Sequence, residues 1–242
     1  YEVGMKIAYI FYSHHEYSDV WNMMKKQTDK FLPNEKKYLF TNEVGEFNFD
    51  DWEVVTYDDS LPYNLRVAEC LNSVEEDVVI FHHEDMFLLS KPKKDVINDL
   101  AEMIVKKEAH LIKLIKAQYK PEQDRSIRNN IHVCPKNLYF AIQPTIVSKK
   151  ILQNIYRNVE APNIWKFEED AGVYVASRNL KSYYYHTGEE LKRGMFHWDS
   201  IVYPYIATAI VKGKWDYEHY KNELTSLLQK YNIDPSIRGT NA

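Results

Sequence analysis

The sequence predicts an α/β chain with a mostly parallel sheet flanked by helices, and three observations carry that expectation. Short apolar runs of strand character alternate with segments of helical periodicity through the first half of the chain. The 242 residues suit one large domain or two closely packed halves, and either can bury a full core. The run Asp77-Val-Val-Ile-Phe-His-His-Glu-Asp-Met-Phe-Leu-Leu89 reads as a buried strand that stops abruptly at four titratable side chains. Open α/β sheets present ligands at the carboxyl ends of their strands, so His82, His83, Glu84 and Asp85 mark a candidate site. Burying such groups is costly unless something uses them.

Residues 6–12 read as the first strand, and Ser13-His-His-Glu-Tyr17 as a polar turn. Val20, Met23, Met24 and Phe31 give 19–31 near-helical spacing, with Gln27 a mismatch and Ser18 or Asp19 as N-cap. Residues 37–41 and 52–57 are the next strands, the latter ending at Asp58 and Asp59. Pro62 precedes a helix over 64–74 with Leu65, Ala68, Cys70, Leu71 and Val74 on its apolar stripe. The strand 78–81 follows, then a helix over 94–107, an alternating strand over 110–116 and a polar loop over 119–130. Residues 139–147 read as extended, interrupted by Pro144; 148–157 as a helix capped by Ser148; 170–177 as a short helix; and 182–185 as a strand. An amphipathic helix over 215–231 packs on the core, and the residues from Pro235 onward are expected to fray.

Composition narrows the function classes. A formal net charge of −4 supplies no global basic field for nucleic acid. Cys70 and Cys134 lie far apart and form neither a disulfide framework nor a zinc pattern, which points to a reducing compartment. The apolar run at 7–12 is too short for a signal-peptide core or a transmembrane segment, and Tyr1-Glu-Val-Gly4 reads as a remnant ahead of a native start at Met5. A cytoplasmic location is therefore expected, with peripheral membrane association left open. Neither GxGxxG nor GxxxxGK[ST] is present, against dinucleotide-dependent and P-loop enzymes. The 19 Tyr, 10 Phe and 5 Trp are read mainly as core fillers with a polar handle, rather than sugar platforms.

The order of these elements and motifs resembles that of GT-A fold glycosyltransferases over roughly residues 6–197. The resemblance implies a Rossmann-like nucleotide-binding half, 5–90, fused to a smaller acceptor half, 91–234, within a single domain at 5–234, with tails at 1–4 and 235–242. It places the strand 78–81 before the family's DxD motif. Asp85 matches the second aspartate, and His83 stands where the first is expected, giving His83-Glu84-Asp85. An imidazole there suits Mn²⁺ better than Mg²⁺ and leaves the need for a metal open. Arg66 is placed like the family's diphosphate-contacting arginine, and Asp58 and Asp59 like its ribose or base contacts. Glu169-Asp170 looks like the family's "ED" motif, with Asp170 preferred as base, and His197 like its C-terminal metal ligand.

What the resemblance implies is transfer of a hexosyl or deoxyhexosyl group from a nucleotide-sugar, a UDP- or GDP-sugar first, to a glycan or lipid-linked acceptor. The reaction is expected to be inverting and to use Mn²⁺ or Mg²⁺. Two alternatives stay open: a catalytically degenerate sugar- or nucleotide-binding module, and a nucleotidyltransferase. The latter usually brings a Gly-rich phosphate loop, which the glycine-free first turn lacks. His14 and His15 are read as solvated loop residues, and His132 and Cys134 as too few for structural zinc. Gly188 and Gly194 bracket a segment with the character of a mobile loop over the donor.

Overall fold

The computed structural model describes residues 5–120 and 123–242; the expected tail 1–4 and Pro121 in the expected loop lie outside them. The strands of the main sheet are β1 (Ile7–Tyr12), β2 (Lys36–Thr41), β3 (Glu53–Thr56), β4 (Val78–His83), β5 (Leu111–Lys113), β6 (Ser126–Arg128), β7 (Ile131–Val133), β8 (Thr145–Ser148) and β9 (Ser182–Tyr185). They form one mixed sheet in the order β3-β2-β1-β4-β8-β5-β9-β7-β6. β3, β2, β1 and β4 are all parallel. β8 runs antiparallel to both its neighbours, β5 and β9 are parallel, and β7 opposes β9 and β6. Every strand except β8 and β7 thus points the same way, as the alternation of strand and helix predicts for the first half.

The helices are α1 (Trp21–Phe31), α2 (Tyr63–Cys70), α3 (Lys94–Val105), α4 (Lys149–Asn158), α5 (Ile164–Ser177), α6 (Tyr217–Lys230) and α7 (Pro235–Arg238). The period of two in β1 explains how they divide. Ala8, Ile10 and Tyr12 pack with Val67, Leu152 and Phe167 from α2, α4 and α5. Ile7 and Tyr9 meet Ile97 and Ile104 from α3, while Phe11 meets Trp21 and Leu224 from α1 and α6. Both faces of the sheet are therefore covered, which is why its central strands read as nearly continuous apolar runs. Among the described residues, no helix is long and apolar enough to cross a membrane.

Several expectations need correction. The segment 19–31 is not one helix: a 3₁₀ turn over His15–Val20 comes first, capped by His14 Nδ1, which accepts from Glu16 N at 3.1 Å. α5 begins at Ile164, because Asn163 caps it by accepting from Lys166 N at 2.9 Å. The expected loop 119–130 contains β6, which joins β7 through Asn130 at φ 62°. The expected mobile segment at Gly188–Gly194 ends in a two-stranded hairpin, β10 (Lys192–Arg193) and β11 (His197–Trp198). Arg193 anchors it through ion pairs to Asp199 and Glu223. The C-terminus does not fray: Trp215 N donates to Gly239 O at 2.9 Å, and Asn241 N to Trp215 O at 3.1 Å.

Candidate functional site

The strand order reverses direction between β1 and β4, and ligands in open α/β sheets bind outside the carboxyl ends at such a switch point. A cleft of about 700 Å³ lies there. Its lining comes from the ends of the parallel strands and from α2: Tyr12 at the end of β1 and His14 beyond it, Asp59 after β3, Tyr63 and Arg66, and His83, Glu84 and Asp85 at the end of β4. Ile164 and Arg238 also line it, although they are distant in sequence.

The two histidines of β4 point to opposite faces, as neighbouring strand residues must. His82 is fully buried; its Nδ1 lies 3.0 Å from Ile10 O and its Nε2 2.6 Å from the Tyr203 hydroxyl, and the ring stacks on Phe11. Burial lowers its pKa to about 3, so it is a neutral core residue and not part of the site. His83 faces the cleft; its Nε2 lies 2.8 Å from the Tyr63 hydroxyl, itself 2.9 Å from that of Tyr156. Burial lowers the His83 pKa to about 4, which keeps the imidazole neutral.

Glu84 is 9% exposed and Asp85 half-buried. Both pKa values are raised, first by burial and, for Glu84, next by the charge of Asp85. Their own backbone N–H groups and the charge of Arg238 pull the other way. Burial and like charge therefore favour the protonated form of this pair.

Arg66 is fixed by donating from Nε to Leu61 O at 2.7 Å and from Nη2 to Asp59 O at 2.7 Å. Asp59 Oδ1 lies 3.2 Å from Arg66 Nη2 and 2.9 Å from His14 Nε2. His14, expected to be solvated, therefore belongs to the cleft. Asp58 does not line it: its carboxylate accepts from Ser60 N and Oγ, and those two bonds lower its pKa.

The acceptor-half candidates lie elsewhere. Glu169 and Asp170 sit in the second turn of α5, both paired with Lys166 at 3.6 and 2.9 Å, and neither lines the cleft. His197 also lies outside it; its Nδ1 is 3.1 Å from the Thr208 hydroxyl, and its ring is 5.3 Å from that of His219. Burial and the neighbouring His219 lower the His197 pKa.

Among the described residues, the one group of three metal-capable side chains with converging atoms is Asp216, Glu218 and His219. That group has a structural explanation. Asp216 caps α6 by accepting from His219 N at 3.3 Å, lies 3.0 Å from His219 Nδ1 and accepts from Asn241 Nδ2 at 3.0 Å. In the cleft, Glu84 and Asp85 offer hard oxygen donors, whereas His83 Nε2 is engaged by Tyr63 and His197 is absent. Such a pair fits the mode in which Mg²⁺ or Mn²⁺ is held by one or two carboxylates and completed by substrate phosphate.

Comparison of the chain with protein-family models and with curated proteins returned no match.

Proposed function

We propose that this chain is a glycosyltransferase of GT-A type, taking a sugar from a UDP- or GDP-sugar to a hydroxyl of a glycan or lipid-linked acceptor. The observation that supports this most is the switch-point cleft, where Arg66, Asp59 and the Glu84–Asp85 pair meet at the carboxyl ends of parallel strands. In the transfer, the acceptor oxygen bonds to the anomeric carbon, the bond from that carbon to the diphosphate oxygen breaks, and the hydroxyl proton passes to a base. Asp85 and Glu84 would hold a divalent cation, which would supply Lewis-acid neutralisation of the diphosphate charge. Arg66 presents a pre-set guanidinium to the same phosphates, and the aromatic walls Tyr12 and Tyr63 exclude water. Asp170 is assigned as base by the resemblance alone; it lies outside the cleft and is paired with Lys166.

The test is a thermal-shift series with UDP-, GDP-, TDP- and CMP-sugars, each with and without Mn²⁺. A ligand that binds only the folded state raises the midpoint as RT ln(1 + [L]/Kd). A metal-dependent shift with one nucleotide class, lost in Asp85→Ala, is the expected outcome. No shift with any donor would overturn the reading. The position of Glu169 and Asp170 outside the cleft favours a second reading, a donor-binding module without transfer. Product analysis separates the two: donor binding with neither hydrolysis nor transfer across an acceptor panel would leave only the module.

A further inference from the structure

One cation of the cleft comes from the far end of the chain. Arg238 ends α7 and lines the cleft with Arg66, Glu84 and Asp85. The segment that carries it is built to stay in place. Asp234 caps α7 by accepting from Ser236 N at 2.9 Å, and Pro235 occupies the first turn. Gly239 then turns the chain at φ 85° and ψ 170°, a region open essentially to glycine alone. Thr240 forms a bridge with Trp215, and the Arg238 guanidinium lies over the Trp215 ring at 5.5 Å.

The hydrogen bonding of both arginines is incomplete: Arg66 reaches the Tyr12 hydroxyl from Nη1 only at 3.4 Å, and Arg238 is less satisfied still. Its Nη2 donates to both oxygens of Asp19, at 2.9 and 2.7 Å, and its Nη1 reaches Gly213 O only at 3.4 Å. Its Nε is buried and has no partner. Leaving a charged donor unpaired is costly, and the long Nη1 contact leaves that nitrogen able to take a ligand oxygen from the cleft. Asp19 is half exposed, so the pair that holds Arg238 can exchange for a stronger acceptor.

We propose that the C-terminal segment, residues 234–240, is a phosphate-binding strap of the donor site: Arg238 and Arg66 grip the donor diphosphate between them, and Asp19 holds Arg238 in place until the diphosphate arrives. The proposal rests on the donor-site reading above and adds to it a residue that completes the site from the far end of the chain. Arg238 also faces the Glu84–Asp85 pair, so a phosphate bridging a cation and this guanidinium balances charge on both sides of the cleft.

Calorimetric titration of the full chain with UDP, GDP and their parent nucleosides, at fixed Mn²⁺, tests it. Arg238→Gln should weaken binding of the preferred diphosphate by about ten- to hundredfold, the usual cost of a charge-assisted hydrogen bond. It should leave the nucleoside affinity unchanged, and Arg238→Lys should recover part of the loss. Asp19→Asn, which removes the competing acceptor, should tighten diphosphate binding severalfold. If wild type binds a diphosphate and Arg238→Gln binds it equally well, the strap is overturned while the donor site stands. Equal losses for diphosphate and nucleoside, with a lowered melting midpoint, would overturn it as well, because Arg238 would then only dock the C-terminus. If wild type binds neither diphosphate, both the strap and the donor-site reading fall.

Discussion

Glu84 gives the cleft a measurable electrostatic signature. Its carboxyl is buried beside Asp85 and has its pKa lifted from 4.5 to about 8, first by burial and then by that neighbouring charge. The folded state therefore holds this proton more tightly than the unfolded chain. The resulting stability is complete below pH 4.5 and is lost as pH rises from there toward 8. One pKa unit corresponds to about 1.4 kcal/mol, so the full lift sets a ceiling of ~5 kcal/mol. Local relaxation and water entering the open cleft reduce this to about 2–3 kcal/mol. Glu84→Gln keeps the shape and removes the titration. For a chain of this length, 1 kcal/mol moves Tm by ~2–4 °C, so the variant should melt about 4–12 °C above wild type at pH 8.5. At pH 5 the difference should shrink to ~1 kcal/mol or less. Differential scanning fluorimetry of both proteins across pH 5–8.5 measures it. Parallel profiles, or a variant no more stable than wild type at pH 8.5, would refute the claim that burial holds the Glu84 proton in the folded state. Mn²⁺ with the preferred nucleoside diphosphate should flatten the wild-type profile, because it supplies the missing positive charge.

Other expectations are more compact. His82→Ala should cost ~3–5 kcal/mol in chemical denaturation, since it opens a cavity at a fully buried position and leaves Tyr203 and Ile10 O unpaired; a cost below 1 kcal/mol would contradict its structural role. Asp85→Asn should abolish the Mn²⁺-dependent part of nucleoside diphosphate binding while the fold, followed by circular dichroism, is retained; unchanged metal dependence would move the cation elsewhere. Mn²⁺ alone should bind weakly, because two carboxylates leave most of the coordination to phosphate and water, and a tight metal complex without nucleotide would point to a different ligand set. Asp170→Asn should lose transfer but keep donor affinity, and normal turnover would remove Asp170 as the base.

Much of the cleft was legible in the sequence. The apolar runs of β1 and β4, the acidic ends of β3 and β4, and the placement of Arg66 one turn into a helix all follow from local pattern. The same pattern separates His82 from His83. A period of two sends adjacent residues to opposite faces, so only one of them was able to reach the cleft. Two helix starts also carry local signals in the sequence: Asn163 ahead of α5, and Asp234-Pro235 ahead of α7, both ordinary capping arrangements. Moving the start of α5 back to Ile164 is what takes Glu169 and Asp170 out of its first turn.

The sequence by itself determined most of the elements and the chemistry at each strand end, because hydrophobic period, caps and breakers act over a few residues. Tertiary structure decided which of those chemistries meet. The antiparallel insertion of β8 between β4 and β5, the ties of Asp170 to Lys166, the separation of His197 from Asp85 and the return of Arg238 to Asp19 all depend on chain segments far apart in sequence. Such contacts form only once the sheet has set the positions of its strand ends, and no local spacing encodes them.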